Sequence, residues 1–93
     1  MASRITKFPI ATLPFTTALI SYPSNAVDMM FGVIDSNIVL WALVETTVPV
    51  SSRLRYFEMH LTGDTIDSKT RQLVLTVVSG IFEVHVFEIV TPH

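Results

Sequence analysis

RQLVLTVVSGIFEVHVFEIV, residues 71–90, is the stretch that decides the fold class. From Arg71 to Val78 it is rich in β-branched side chains, and Leu73, Leu75 and Val77 alternate with Gln72, Val74 and Thr76, the period of two that belongs to a strand. Ser79-Gly80 follows, and the glycine supplies the positive φ that a two-residue hairpin turn asks for. Ile81–Val90 then returns as a second strand, with Phe82, Val84 and Val86 on one face and Glu83 and His85 on the other.

The same pattern spreads toward the N-terminus. In Arg53–Thr62, Phe57, Met59 and Leu61 alternate with Tyr56, Glu58, His60 and Thr62, giving one buried and one wet face before Gly63-Asp64 ends the run. Ile38–Val44 is apolar on both faces, as expected of a strand covered on each side. Asp35-Ser36-Asn37 reads as a hairpin turn joining it to Val27–Ile34. That segment also has a helical reading, because Val27, Met30, Phe31 and Ile34 fall at helical spacing and Asn25 could cap the start at Asp28. Gly32 and the turn cluster limit such a helix to about two turns, which is marginal alone, so strand is the preferred reading. A helical turn is allowed within Asp64–Thr70. Pro9, Pro14, Pro23 and Pro49 mark edges and loops, since proline cannot donate to a sheet ladder. Six or seven short strands predict an all-β fold, an antiparallel β-sandwich or open barrel in one domain spanning residues 1–93, with at most one short helical turn.

Composition narrows the function. Apolar residues make up 49% of the chain and charged ones 15%, against roughly 25% charged in an average globular domain. A small domain has much surface to cover, so this shortage of charge predicts surface buried beyond the monomer, most simply in a homo-oligomer. The net charge of −2 gives duplex nucleic acid no electrostatic hold. The absence of cysteine excludes disulfides, thiolate nucleophiles and zinc–thiolate sites, and suits a cytosolic protein. Arg4 and Lys7, the apolar stretch Phe8–Ile20 and Ser24-Asn25-Ala26 mimic a secretory leader. Pro9 and Pro14 interrupt that stretch, so a strand–loop–strand start is expected instead. No apolar run approaches the roughly 20 residues of a membrane-spanning helix, and no membrane partner is expected.

Few residues suggest chemistry. Period two places Glu58 with His60, and Glu83 with His85, on one face of their strands. Were the two strands adjacent, the four side chains could meet as a zinc or manganese set. Cross-strand polar pairing is the plainer account, and no metal or cofactor is expected. Arg53 and Arg55 share a face next to Tyr56 and could grip a phosphate or carboxylate in bidentate fashion; the alternative is an exposed pair at a strand start. His85 can donate and accept within a pocket, or simply bond to a neighbouring strand. Arg53, Arg55, Tyr56 and His85 are therefore the candidate binding residues. Trp41 is expected in the core rather than at an interface. Asp28, Asp35, Asp64 and Asp67 fall in or near turns. No serine sits in a nucleophile elbow and no glycine loop cradles phosphate, so a non-enzymatic protein is expected.

Leu40-Trp41-Ala42-Leu43-Val44 and Val84-His85-Val86-Phe87-Glu88, with Lys7-Phe8-Pro9-Ile10 near the start, resemble a family of small tailed-bacteriophage and prophage proteins. Arg55 with Thr62-Gly63, and Phe82 with His85–Glu88, fit its remaining motifs. The family usually has histidine after Thr-Gly, where this chain has Asp64. The resemblance implies a phage origin and an all-β fold, and supplies no activity. The expectation that follows is an accessory protein of the host cytoplasm, serving host takeover or counter-defence. It would bind either a small nucleotide-type signal at an oligomer interface or a host protein; a virion or assembly role is the further alternative.

Overall fold

The computed structural model describes residues 2–46, 51–67 and 70–90. They form seven strands, β1 (Ser3–Thr12), β2 (Thr17–Pro23), β3 (Val27–Ile34), β4 (Asn37–Glu45), β5 (Ser52–Leu61), β6 (Arg71–Ser79) and β7 (Phe82–Ile89), with no helix among them. Two antiparallel sheets result. One has the order β1-β4-β3 and the other β2-β5-β7-β6. The fold is an open β-sandwich rather than a closed barrel. Residues 47–50, which include Pro49, and part of Asp64–Thr70 lie outside the described residues.

Val27–Ile34 is a strand, because its backbone pairs with β4 from Val27↔Leu43 to Ile34↔Asn37. Tertiary pairing overrides the helical spacing there. Only Asp35 and Ser36 form the turn, both at positive φ (48° and 67°), and Asn37 already belongs to β4. A two-residue turn with both central residues left-handed matches the twist of the flanking strands. The β6–β7 turn is displaced by one residue from the sequence expectation. Ser79 still pairs with Phe82, so Gly80-Ile81 is the loop, with Gly80 at φ 61° in the first central position. The prolines within strands behave as expected: Pro9 and Pro23 lie on the edge strands β1 and β2, and Pro9 adjoins an irregularity in the register.

The core lies between the sheets. Ile10, Tyr22, Ile38, Leu40, Ala42, Phe57 and Val86 are buried there, with Phe8, Phe31, Val74, Leu75 and Val77 packed around them. A bulge between Leu73 and Leu75 breaks the alternation of β6. Val74 joins the core margin as a result, while Leu73, expected beside Leu75, is 53% exposed. Trp41 is also not where expected. It alternates with the core residues Leu40 and Ala42, lies on the outer face of the three-stranded sheet and is half-buried. Its indole rests on Gly32, where an added Cβ would come within 2.6 Å of the ring. The whole is a slab of 45 × 33 × 15 Å.

Candidate functional site

β5 is the spine of the site. It pairs with β2 from Ser52 to Glu58, but with β7 only from Tyr56 to Leu61. Over Ser52–Arg55 the strand therefore has β2 on one side and, among the described residues, no strand on the other. A hollow of about 590 Å³ opens at this place. Leu19, Leu54, Tyr56, Ile89 and Val90 give it apolar walls, and Asp28, Arg53, Arg55 and Glu88 line it with charge.

Arg55 forms part of that lining from within. Period two puts it on the same face as Phe57, so it points between the sheets and is only 5% exposed. A guanidinium so placed must be paired. Its Nε and Nη2 donate to Glu88 Oε2 and Oε1 at 2.7 and 2.5 Å, and its Nη1 and Nη2 donate to Asp28 Oδ1 and Oδ2 at 2.8 and 2.9 Å. Asp28 belongs to β3, Glu88 to β7, so one arginine ties the two sheets together. The guanidinium also lies 4.6 Å from the centroid of the Tyr22 ring and 5.7 Å from that of Phe57. Tyr22 completes the cluster by donating its hydroxyl to Asp28 Oδ1 at 2.5 Å.

The cluster's acidities follow from this packing. Burial, then the hydrogen bond to Asp28 and the charge of Asp28, push the Tyr22 hydroxyl up to about 12. Burial alone would raise Asp28, but hydrogen bonds from Arg55 and Tyr22 and the Arg55 charge outweigh it and hold the carboxyl below its usual value. Burial opposes the charge of Arg55, and its bonds to Glu88 and Asp28 overcome that and raise its affinity for the proton.

A second polar cluster covers the outer face of the four-stranded sheet. Arg71 Nε donates to Glu58 Oε1 at 2.8 Å, its Nη1 reaches Asp67 Oδ1 at 2.8 Å, and His60 Nε2 lies 3.1 Å from Glu58 Oε1. β5 and β7 are adjacent, and His60 stands directly opposite His85. The carboxylates do not join them in a set of four. Glu58 is taken by Arg71 and His60, while Glu83 Oε1 accepts the Thr62 hydroxyl at 2.9 Å. Among the described residues no group of three or more histidines and carboxylates is arranged to hold a metal. With the Thr62 proton given to Glu83, Thr62 Oγ1 accepts from His85 Nε2 at 2.8 Å, and Thr76 donates to His85 Nδ1 at 3.0 Å. Both ring nitrogens are thus used within the sheet.

Of the four candidate residues, three meet at the notch: Arg53, Arg55 and Tyr56 all line it. They do not form the exposed arginine pair considered from sequence, since Arg53 is exposed and Arg55 is buried. His85 is elsewhere. It pairs with His60, four residues along β7 from the Tyr56↔Ile89 pair, roughly 13 Å away at strand spacing. It borders instead a shallower hollow of about 410 Å³ under Thr62–Asp64. Asp28, Glu88 and Tyr22 were not legible as members of the site. The available signal was Arg55 itself: an arginine in phase with Phe57 requires buried carboxylate partners.

Over residues 1–93 the chain matches the family described as a domain of unknown function, DUF7352, and it belongs to that family. No curated protein and no solved structure matches the chain.

Proposed function

We propose that this member of the DUF7352 family acts by binding rather than catalysis, taking an extended segment of a partner protein along the open half of β5. The observation that carries this reading is that Ser52–Arg55 has β2 on one side and, among the described residues, no strand on the other, beside a hollow with apolar walls and a charged lining. A strand edge offers backbone donors and acceptors to an added strand, and neighbouring apolar side chains select alternate residues of it. Leu54, 69% exposed, and Tyr56 stand ready on the outer side. The charges of the lining favour this partner over a free anion. Arg55 spends four hydrogen bonds on Asp28 and Glu88, and two carboxylates offset the two guanidiniums around the hollow. The resemblance to small phage proteins supplies the setting: an accessory protein in the host cytoplasm that occludes a host factor.

The test uses wild-type protein and Leu54→Glu as baits in host lysate, followed by hydrogen exchange on the captured complex. The expected result is a partner whose retention falls at least about tenfold with Leu54→Glu, a loss typical of a buried anchor, with new protection at the amides of Ser52–Arg55. Capture indifferent to Leu54→Glu overturns the reading. A thermal shift with nucleotides or cyclic nucleotides that Arg53→Ala abolishes would replace it by sequestration of an anionic signal.

A further inference from the structure

The outer face of the three-stranded sheet is a second surface, separate from the notch. The register aligns Ile5, Leu43 and Val27 in one row across β1, β4 and β3, then Lys7, Trp41 and Met30, then Pro9, Val39 and Gly32. Ile5 is 61% exposed, Val27 62% and Met30 67%. On this face of β4, Val39 is covered at 3% exposure, Trp41 is half-buried and Leu43 is 38% exposed. The centre of the surface is built rather than incidental. Gly32 leaves room for the Trp41 ring to lie against the sheet, and an alanine there would collide with it. This makes a flat aromatic plateau whose indole is held in place before any partner arrives, and pre-ordered aromatic anchors are what strong interface centres use.

We infer that this face is the contact surface of a symmetric dimer, and that its occupant is the same face of a second copy of this chain. The charge pattern chooses a second copy. An isologous contact sets a patch against itself, so it fails where many charges of one sign would be brought together; the three rows here carry a single charge, Lys7, on a strand at the patch's edge. Its long stem can lie along the sheet and leave the ammonium in water.

Trp41 is the only tryptophan in the chain, so its fluorescence reports on this face alone. Sedimentation and light scattering on the wild-type protein over a wide concentration range should give twice the chain mass, and dilution should return the single mass while Trp41 emission moves to longer wavelength. Met30→Glu and Ile5→Lys, both at exposed positions, should keep the strand signature in circular dichroism and weaken association by at least about tenfold. Leu54→Glu, on the other sheet, should leave association unchanged. A wild-type chain that stays monomeric throughout, or a dimer that survives both face variants and is lost with Leu54→Glu, overturns the inference. Because Leu54→Glu is the probe of the notch, failure of one proposal is distinguishable from failure of the other.

Discussion

Two arginines, each held by two carboxylates, sit in contrasting places. Arg55 stands between the sheets, stacked on Tyr22 and bonded to Asp28 from one sheet and Glu88 from the other. Arg71 lies on the outer side of a single sheet, bonded to Glu58 and to Asp67 from the preceding segment. The difference is what remains when the arginine goes. Arg71 and Glu58 are themselves well covered, but without Arg71 the Glu58 carboxylate keeps His60 at 3.1 Å and lies on the outside of one sheet, where removal of the arginine opens it to solvent. Without Arg55, two carboxylates converge between the layers around an emptied space. The same chemistry thus fixes the packing of the sandwich in one place and trims its surface in the other.

The largest expected effect tests that contrast directly. Arg55→Ala should destabilise the fold by roughly 3–5 kcal/mol, the usual cost of breaking a buried ion pair, measured by urea or thermal unfolding. Arg55→Lys should recover little, because an ammonium cannot serve both carboxylates in bidentate fashion. A loss no greater than that of Arg71→Ala would break the comparison.

The next effect is a pH dependence. The Tyr22 hydroxyl is raised in the fold to about 12 from 10.0, so its contribution is fully present below pH 10 and is lost as pH climbs from 10 toward 12. On the order of 2–3 kcal/mol should disappear across that window. In Tyr22→Phe the alkaline loss should shrink, with stability already lower at neutral pH because Asp28 has lost a donor. Asp28 works the opposite way. Its pKa is depressed in the fold, so its contribution is present above the ordinary carboxyl range and fades as pH falls through the depressed value. Unfolding followed by circular dichroism from acid to alkaline pH checks both limbs.

The smallest effect belongs to the outer cluster. Arg71→Ala should lower the melting temperature by less than Arg55→Ala, because Glu58 keeps His60 and the cluster lies outside one sheet rather than between two. Its deficit should respond more to salt than that of Arg55. Equal salt sensitivity of the two would show that Arg55 is more solvated than its packing implies.

Much of the sandwich was readable from the chain because strands carry their own period. Phe57, Val84 and Val86 are buried where alternation placed them, and the turns fell at Asp35-Ser36 and around Gly80. Errors of one residue arose where the ladder slips. The bulge in β6 turned Leu73 outward and Val74 toward the core, and a bulge cannot be read from a pattern that assumes strict alternation. The site was legible in part. Arg53, Arg55 and Tyr56 are neighbours in sequence and share the notch, but His85 does not join them, because a residue's place across strands depends on register.

By itself, the sequence determined the strand content, the buried face of the regularly alternating runs around Phe57 and Val84–Val86, and the excess of apolar over charged residues, since these depend on local backbone preference and on side-chain chemistry. The tertiary structure decided which strands are neighbours. Only that choice brings Asp28 and Glu88 from distant parts of the chain onto Arg55, leaves Ser52–Arg55 of β5 with a strand on one side only among the described residues, and turns Trp41 outward. Strand order is set by the packing of whole layers, and no local stretch of residues encodes it.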